Sequence, residues 1–390
     1  MLPLGGTAHS AQGAAVKSRL LSRLDADIAT AAQPLAADCL RCERAAYLAR
    51  LGDSDQATRE LAAVQQRHQG RPQAAISAWL SLADALVSHY RDMGPLARDK
   101  MKRAHAMSAA AGLQPLQALS AAWLAHLDYL CMDAPAMARH AAEALKLAGD
   151  DHHAARARAN LVVAQSYHEG GRLDLARPWY DRAHRHATTE GDDATLSAMI
   201  WNMASLRVAA ARQAEACGPA GAEGLGPAPA ASGEYALLST ESTAHFDAML
   251  GVRSLRALQP TLRAQICTLL GQTDTALALY EEHLAAALGQ GMATVEGSLR
   301  ADRAWCRLQA GHTQGARDDA AEAAASLASP GLFGDRAPGH SRLVQVYEML
   351  GDAEAARRHA QFAVRAWEGH RADQARLVAA LDREFAAAPL

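Results

Sequence analysis

Small or apolar residues recur along this chain, mostly in pairs seven positions apart, and most pairs lie downstream of a short turn that carries glycine. The turns read Leu51-Gly52-Asp53, Met93-Gly94-Pro95, Glu169-Gly170-Gly171, Leu270-Gly271-Gln272, Ala310-Gly311-His312 and Leu350-Gly351-Asp352. Behind them stand Ala57, Ala97, Ala138, Ala176, Ala276, Ala316 and Ala356, at intervals of 40, 41, 38, 100, 40 and 40 residues. The interval of 100 equals one unit of 40 plus a second that carries an insertion of about 20. Seven positions further on come Val64, Ala104, Leu145, Ala183, His283, Ala323 and Ala363. A seven-residue offset is close to two helical turns, so both members of a pair share one helix face. Small residues there let a second helix press closely against the first.

The pattern predicts a capping helix over 16–33, then helical pairs over 34–69, 72–112, 114–149, 152–190, 192–250, 254–289, 291–329 and 337–369. A last helix and tail, 370–390, would cover the exposed end, as terminal repeats require. Glycine suits the left-handed position that closes a helix, and Asp53, Thr273 and Asp352 are placed to cap the helix that follows. Residues 1–15 are rich in Gly, Ala and Ser and are expected to be disordered. The Gly/Pro/Ala run within 214–236 cannot propagate a helix and is expected to be a flexible insertion. Pro178 and Pro260 fall inside expected helices, where each should kink the helix or move its start.

In the segment from Asn160 to Ala187, the residues Val163, Ala164, Tyr167, Gly171, Ala176, Tyr180 and Ala183 resemble the tetratricopeptide repeat. That family pairs two antiparallel helices, with small residues at their crossing and an aromatic before the turn. Other units keep part of the pattern through Tyr129, Tyr280 and Tyr347, whereas Arg303 and Arg307 stand where apolar residues belong. The unit is also stretched from the family's 34 residues to about 40. The resemblance covers roughly 34–368. It implies an all-α, right-handed solenoid superhelix of about eight antiparallel helix pairs with terminal capping helices. Long units of this kind resemble the helical arrays of bacterial regulators and sensor modules.

Composition agrees and narrows the function classes. Aromatics make up only 5% of the 390 residues, too few for a large β-rich core, while Ala, the best helix former, is abundant. Net charge is −3, without the basic excess of a nucleic-acid domain. No stretch approaches the roughly 20 apolar residues that span a bilayer. The six cysteines are scattered, which fits a reducing, cytoplasmic setting better than a disulfide framework.

Candidate chemistry is sparse. Cys39 and Cys42 form a C-x-x-C without a second ligand pair, inside an expected helix, and read as small buried residues. Asp150-Asp151-His152-His153 opens a helix, where acidic residues are favoured for the dipole alone. Neither nucleotide-binding glycine motifs nor a nucleophile–base pattern occurs, so neither enzyme activity nor a cofactor is expected.

The resemblance implies that the first helix of each pair lines a concave surface. Carrying its spacing onto this chain places Trp79, Trp123, Trp201 and Trp305 there, with Leu82, Leu86, Leu127 and Leu161. The polar members are Arg158, Gln165, His168 and Gln265. Such a groove would take a peptide or amphipathic helix of a partner protein with apolar anchors. The same tryptophans could equally be core between helices. The expected function is a cytoplasmic bacterial interaction module. The alternatives are the sensory half of a signalling protein such as a diguanylate cyclase or transcriptional regulator, and, remotely, an enzyme on a helical scaffold. A homodimer through the basic stripe Arg300, Arg303 and Arg307 is a further possibility.

Overall fold

The computed structural model describes residues 18–71, 73–92, 96–217, 247, 252–254, 258–289 and 292–385, and among these every regular element is a helix. In chain order they are α1 (Arg19–Thr30), α2 (Pro34–Leu51), α3 (Ser54–Arg67), α4 (Ala74–Asp92), α5 (Leu96–Ala110), α6 (Gln114–Leu130), α7 (Ala134–Leu147) and α8 (His153–Glu169). They continue as α9 (Leu173–Glu190), α10 (Asp193–Cys217), α11 (Gln259–Leu269), α12 (Thr273–Gly289), α13 (Glu296–Gln309), α14 (Thr313–Ala328), α15 (Phe333–Met349) and α16 (Ala353–Phe385). The expected disordered start, and all of the expected insertion except Ala214–Cys217, lie outside the described residues. No described helix is long and apolar enough to cross a membrane.

Helices pack on their neighbours in sequence and also on the next but one, as α2 does on α4, α6 on α8 and α13 on α15. The seven periodic alanines explain how they approach so closely. All seven are buried, none above 5% exposed. A methyl group is the largest side chain these crossings accept without separating the helices.

The turns follow the glycine pattern with one informative exception. Gly52 closes α2 at φ 89° and its neighbour Asp53 caps α3, accepting from the Gln56 N–H at 3.2 Å. Asp352 does the same for α16 with the Ala355 N–H at 2.9 Å. Thr273 does not cap: its hydroxyl donates back to the Gly271 carbonyl at 3.5 Å. The turn between α6 and α7 has no glycine, and Met132 itself adopts the left-handed conformation at φ 55°. Pro260 moves the start of α11 to Gln259, since proline fits the first helical turn where no N–H is needed. Pro178 is carried inside α9.

Long-range contacts fold the array back on itself. At one end Ser18 donates to Tyr47 or accepts from it at 2.7 Å, and Arg19 donates to the Thr188 carbonyl. At the other, α16 runs unbroken across 369–370, where a separate capping helix was expected. Its second half leaves α15 and packs on α7 and α8. There Tyr167 donates to Asp382 at 3.1 Å, Gln374 donates to the Glu169 carbonyl at 2.8 Å, and Phe385 meets Trp179 edge-on. The chain thus caps a middle unit with its last helix, not its own end, because Leu377 and Leu381 find a fully buried seat there.

Between α15 and α16, His340 and His359 face each other with Nδ1 atoms 3.1 Å apart, and Tyr347 stacks on His359. Burial, then the neighbouring charge of His359 and of Arg336, pushes His340 down to about 4; burial and Arg358 do the same to His359. Both are neutral when folded and titrate near 6.5 when unfolded. Their contribution is therefore complete above pH 6.5 and is lost as pH falls towards 4, by up to roughly 1.4 kcal/mol per pH unit for each. The double replacement His340→Gln, His359→Gln should flatten the decline of the urea midpoint between pH 6.5 and 4.5. A decline as steep as in the parent chain would rule the pair out as its source.

Candidate functional site

Twelve side chains were expected to line one open groove. Leu82, Leu86, Trp123, Leu127, Arg158, Leu161, Gln165 and His168 are instead buried, Leu82 and Leu161 completely. Trp79, Trp201, Gln265 and Trp305 are half-buried. The correction has a physical cause. Segments distant in the chain pack on these side chains: Leu20 and Leu24 of α1 meet the Trp79–Trp123 set, and Leu377 and Leu381 of α16 meet Leu161.

Four of the twelve do meet at one place. Trp79, Leu82, Leu86 and Trp123 line a cleft of about 410 Å³, mouth included, together with Leu20 and Leu24 from α1 and Tyr47 and Arg50 from α2. Glu43, Glu190 and Asp192 bring charge to the same cleft. The others go elsewhere. Leu161 sits in the core of α7–α9 and Trp201 packs with Val208, Leu262 and Ile266. His168 shares a 3.1 Å hydrogen bond with the Tyr180 hydroxyl, and Trp305 lies 5.3 Å from the Arg342 guanidinium.

Beneath the cleft is a buried polar network. Arg50 donates through Nη2 to Asp192 at 2.6 Å and to the Thr195 hydroxyl at 2.6 Å. Asp192 also accepts from the Thr195 N–H at 3.0 Å, so one carboxylate both caps α10 and neutralises a buried arginine. Burial opposes that ionisation, yet the Arg50 charge and these hydrogen bonds hold the Asp192 carboxyl below its usual range. Arg158 stacks 4.0 Å over the ring of Trp123, and Tyr90 and His126 meet that ring edge-on. Among the described residues Arg158 pairs with no carboxylate, and burial pushes it down to about 10, with Arg50 adding to the effect. The Nε atoms of both arginines have no hydrogen-bond partner. Burial keeps His126 neutral well below the ordinary imidazole range.

A second network of the same design joins residues 90 apart in the chain. Asp302 accepts from Arg212 and Arg342, all three buried, and Arg342 also binds Glu215 at 3.1 Å. A smaller pocket of about 240 Å³ opens over it.

Three other features resolve without a site. Cys39 and Cys42 are free, and burial pushes both thiols up, which makes them poor nucleophiles. The arginine stripe of α13 is engaged within the chain: Arg303 and Arg307 bind Asp319 at 2.8 and 2.9 Å, and Arg300 binds Glu296 at 2.7 Å. Among the described residues no three His, Cys, Asp or Glu side chains gather as metal ligands.

Arg50, Glu43, Glu190 and Asp192 were not anticipated as neighbours of the tryptophans. Only Asp192 carried a sequence signal, since Gly191-Asp192 has the same form as Gly52-Asp53 and Gly351-Asp352. No protein-family model matches this chain, and no curated protein does either.

Proposed function

We propose that this chain is a binding module rather than a catalyst: a right-handed, tetratricopeptide-like solenoid of antiparallel helix pairs that captures a peptide segment of a partner protein, in bacterial regulation. The observation that carries the reading is the cleft of Trp79, Leu82, Leu86 and Trp123 over the Arg50–Asp192 network. Apolar walls with a few convergent polar groups are what a ligand site needs, and this cleft has both. The periodic buried alanines and the glycine turns support the solenoid.

The size narrows the partner. A helix with its side chains is about 10–12 Å across and does not enter so small a cleft, so the partner segment is read as an extended one that lays a side chain against its mouth. Trp79 is the test residue, because it lines the cleft yet is only partly buried. Selection from a random peptide library against the full chain should enrich a shared sequence feature. Trp79→Ala should weaken binding of the enriched peptides at least tenfold, the loss expected of a tryptophan hot spot, with helix content unchanged by circular dichroism. Equal binding by the two proteins would sink the proposal for this cleft.

A further inference from the structure

The second half of α16 docks at a junction where three acids from three helices meet. Glu169 is the last residue of α8, Asp335 stands in the first turn of α15, and Asp373 belongs to the returning part of α16. Glu169 feels the charge of Asp373, and Asp335 that of Glu169. α16 ties the three together. Gln374 donates to the Glu169 carbonyl at 2.8 Å, and a Cβ on Gly334, beside Asp335, would lie 3.0 Å from the His370 Nδ1. Tyr129 of α6 donates to the Glu169 carboxylate at 2.5 Å. No lysine or arginine among the described residues pairs with Glu169 or Asp335. The cations nearby act on other groups: Arg376 binds Asp373, Arg371 directs its Nη1 to the Cys217 Sγ at 4.0 Å, and Arg336 acts on His340. From α10, Arg207 acts on His168 and Tyr180, and Gln213 accepts from Gln374 without bringing charge. His370 is 8% exposed, and its burial disfavours the imidazolium.

Docking α16 therefore gathers like charges where water is partly excluded. The negative end of the α8 dipole also disfavours a charge on Glu169, whereas the α15 dipole favours one on Asp335 and offsets part of the repulsion. Acids so placed relieve the conflict by holding protons. We propose that this junction is a pH-sensitive latch: 372–385 sits tightly on α7–α9 while Glu169 and Asp335 are protonated, and loosens as they ionise. Opening it bares Tyr167 and Trp179, which Asp382 and Phe385 meet in the closed state. The latch is separate from the cleft and stands without the peptide-binding reading. Burial pushes Glu169 up, with the Tyr129 hydrogen bond opposing and Asp373 adding. Burial, then Glu169, pushes Asp335 up to about 7. Both acids bind a proton more tightly docked than released, where carboxyls titrate near about 4. Their contribution to docking is complete below about pH 4 and is lost as pH rises through about 7. The His340–His359 pair has the opposite sign, so the two effects are separable.

Hydrogen exchange of the full chain at about pH 5 and about pH 7.5, corrected for intrinsic rates, tests the latch. The opening equilibrium of 372–385 should rise roughly tenfold or more at the higher pH, since one proton over one pH unit is a factor of about ten. Segment 353–367, paired with α15, should change far less. Glu169→Gln combined with Asp335→Asn should remove most of the rise, keep 372–385 closed at the higher pH and leave the circular dichroism spectrum unchanged. Asp335→Asn alone, which keeps the Tyr129 hydrogen bond to Glu169, should give an intermediate rise, and it decides the matter if the double variant does not fold. A parent chain in which the opening of 372–385 is flat or falls with pH overturns the latch, whatever the variants do. A rise in the variants as steep as the parent's overturns Glu169 and Asp335 as its source.

Discussion

Replacing Asp302 with Asn should lower the unfolding free energy by about 3–5 kcal/mol, the cost of stranding a buried charge by removing its partner. Asp302 is 1% exposed and accepts from Arg212 on α10 and Arg342 on α15, with the Tyr280 hydroxyl beside it. An amide cannot balance either guanidinium. Its NH₂ would also point a donor at donors. Arg342 keeps Glu215 as a partner, but Arg212 has no second carboxylate among the described residues. Urea unfolding followed by circular dichroism measures the loss. Asp174→Asn serves as the control, since that residue is exposed and its pair with Arg172 is local; it should not change the midpoint measurably. A loss for Asp302→Asn no larger than the control's would show that the network is not desolvated as the structure has it.

The second large effect concerns the returning half of α16. Leu377 and Leu381 are fully buried against α7–α9. Truncating such a leucine to alanine costs about 2–5 kcal/mol at each site, transfer and cavity terms together. The double variant should release 372–385 from α7 and α8 without unfolding the first half of α16, which stays paired with α15. Hydrogen exchange should therefore rise in 372–385 and in α7 and α8, while 353–367 and the N-terminal helices keep their protection. Unchanged exchange in α7 and α8 would mean that the contact orders only the tail. Gly170 marks the closeness of this seat, since a Cβ there would overlap Val378.

Much of the secondary structure was legible because its causes are local. The turn glycines at 52, 271, 311 and 351 take left-handed φ, and the periodic alanines, one to four positions after the helix starts, are buried. Both follow from sterics within a few residues. Gly94 lies outside the described residues, and Met132 shows the limit of the rule, since the turn's geometry persists where glycine is missing. The site was legible only in part. Trp79, Leu82, Leu86 and Trp123 do converge, because all four lie on α4 and α6, whose spacing the repeat sets. Leu161 and Trp201 went elsewhere because a helix face does not say what will cover it.

By itself, the sequence determined the helical class, the period near 40 residues, most helix boundaries and the small-residue crossings. These depend on backbone sterics, on side-chain volume and on periodicity, all of which are readable within two or three helical turns. Only the tertiary structure decided that the chain returns on itself. Arg50 meets Asp192 across 142 residues and Tyr167 meets Asp382 across 215. Ion pairs and buried seats of that kind form between segments that carry no mark of each other in composition or spacing. The residues expected to line an open groove are therefore mostly core, with one cleft remaining at Trp79 and Trp123.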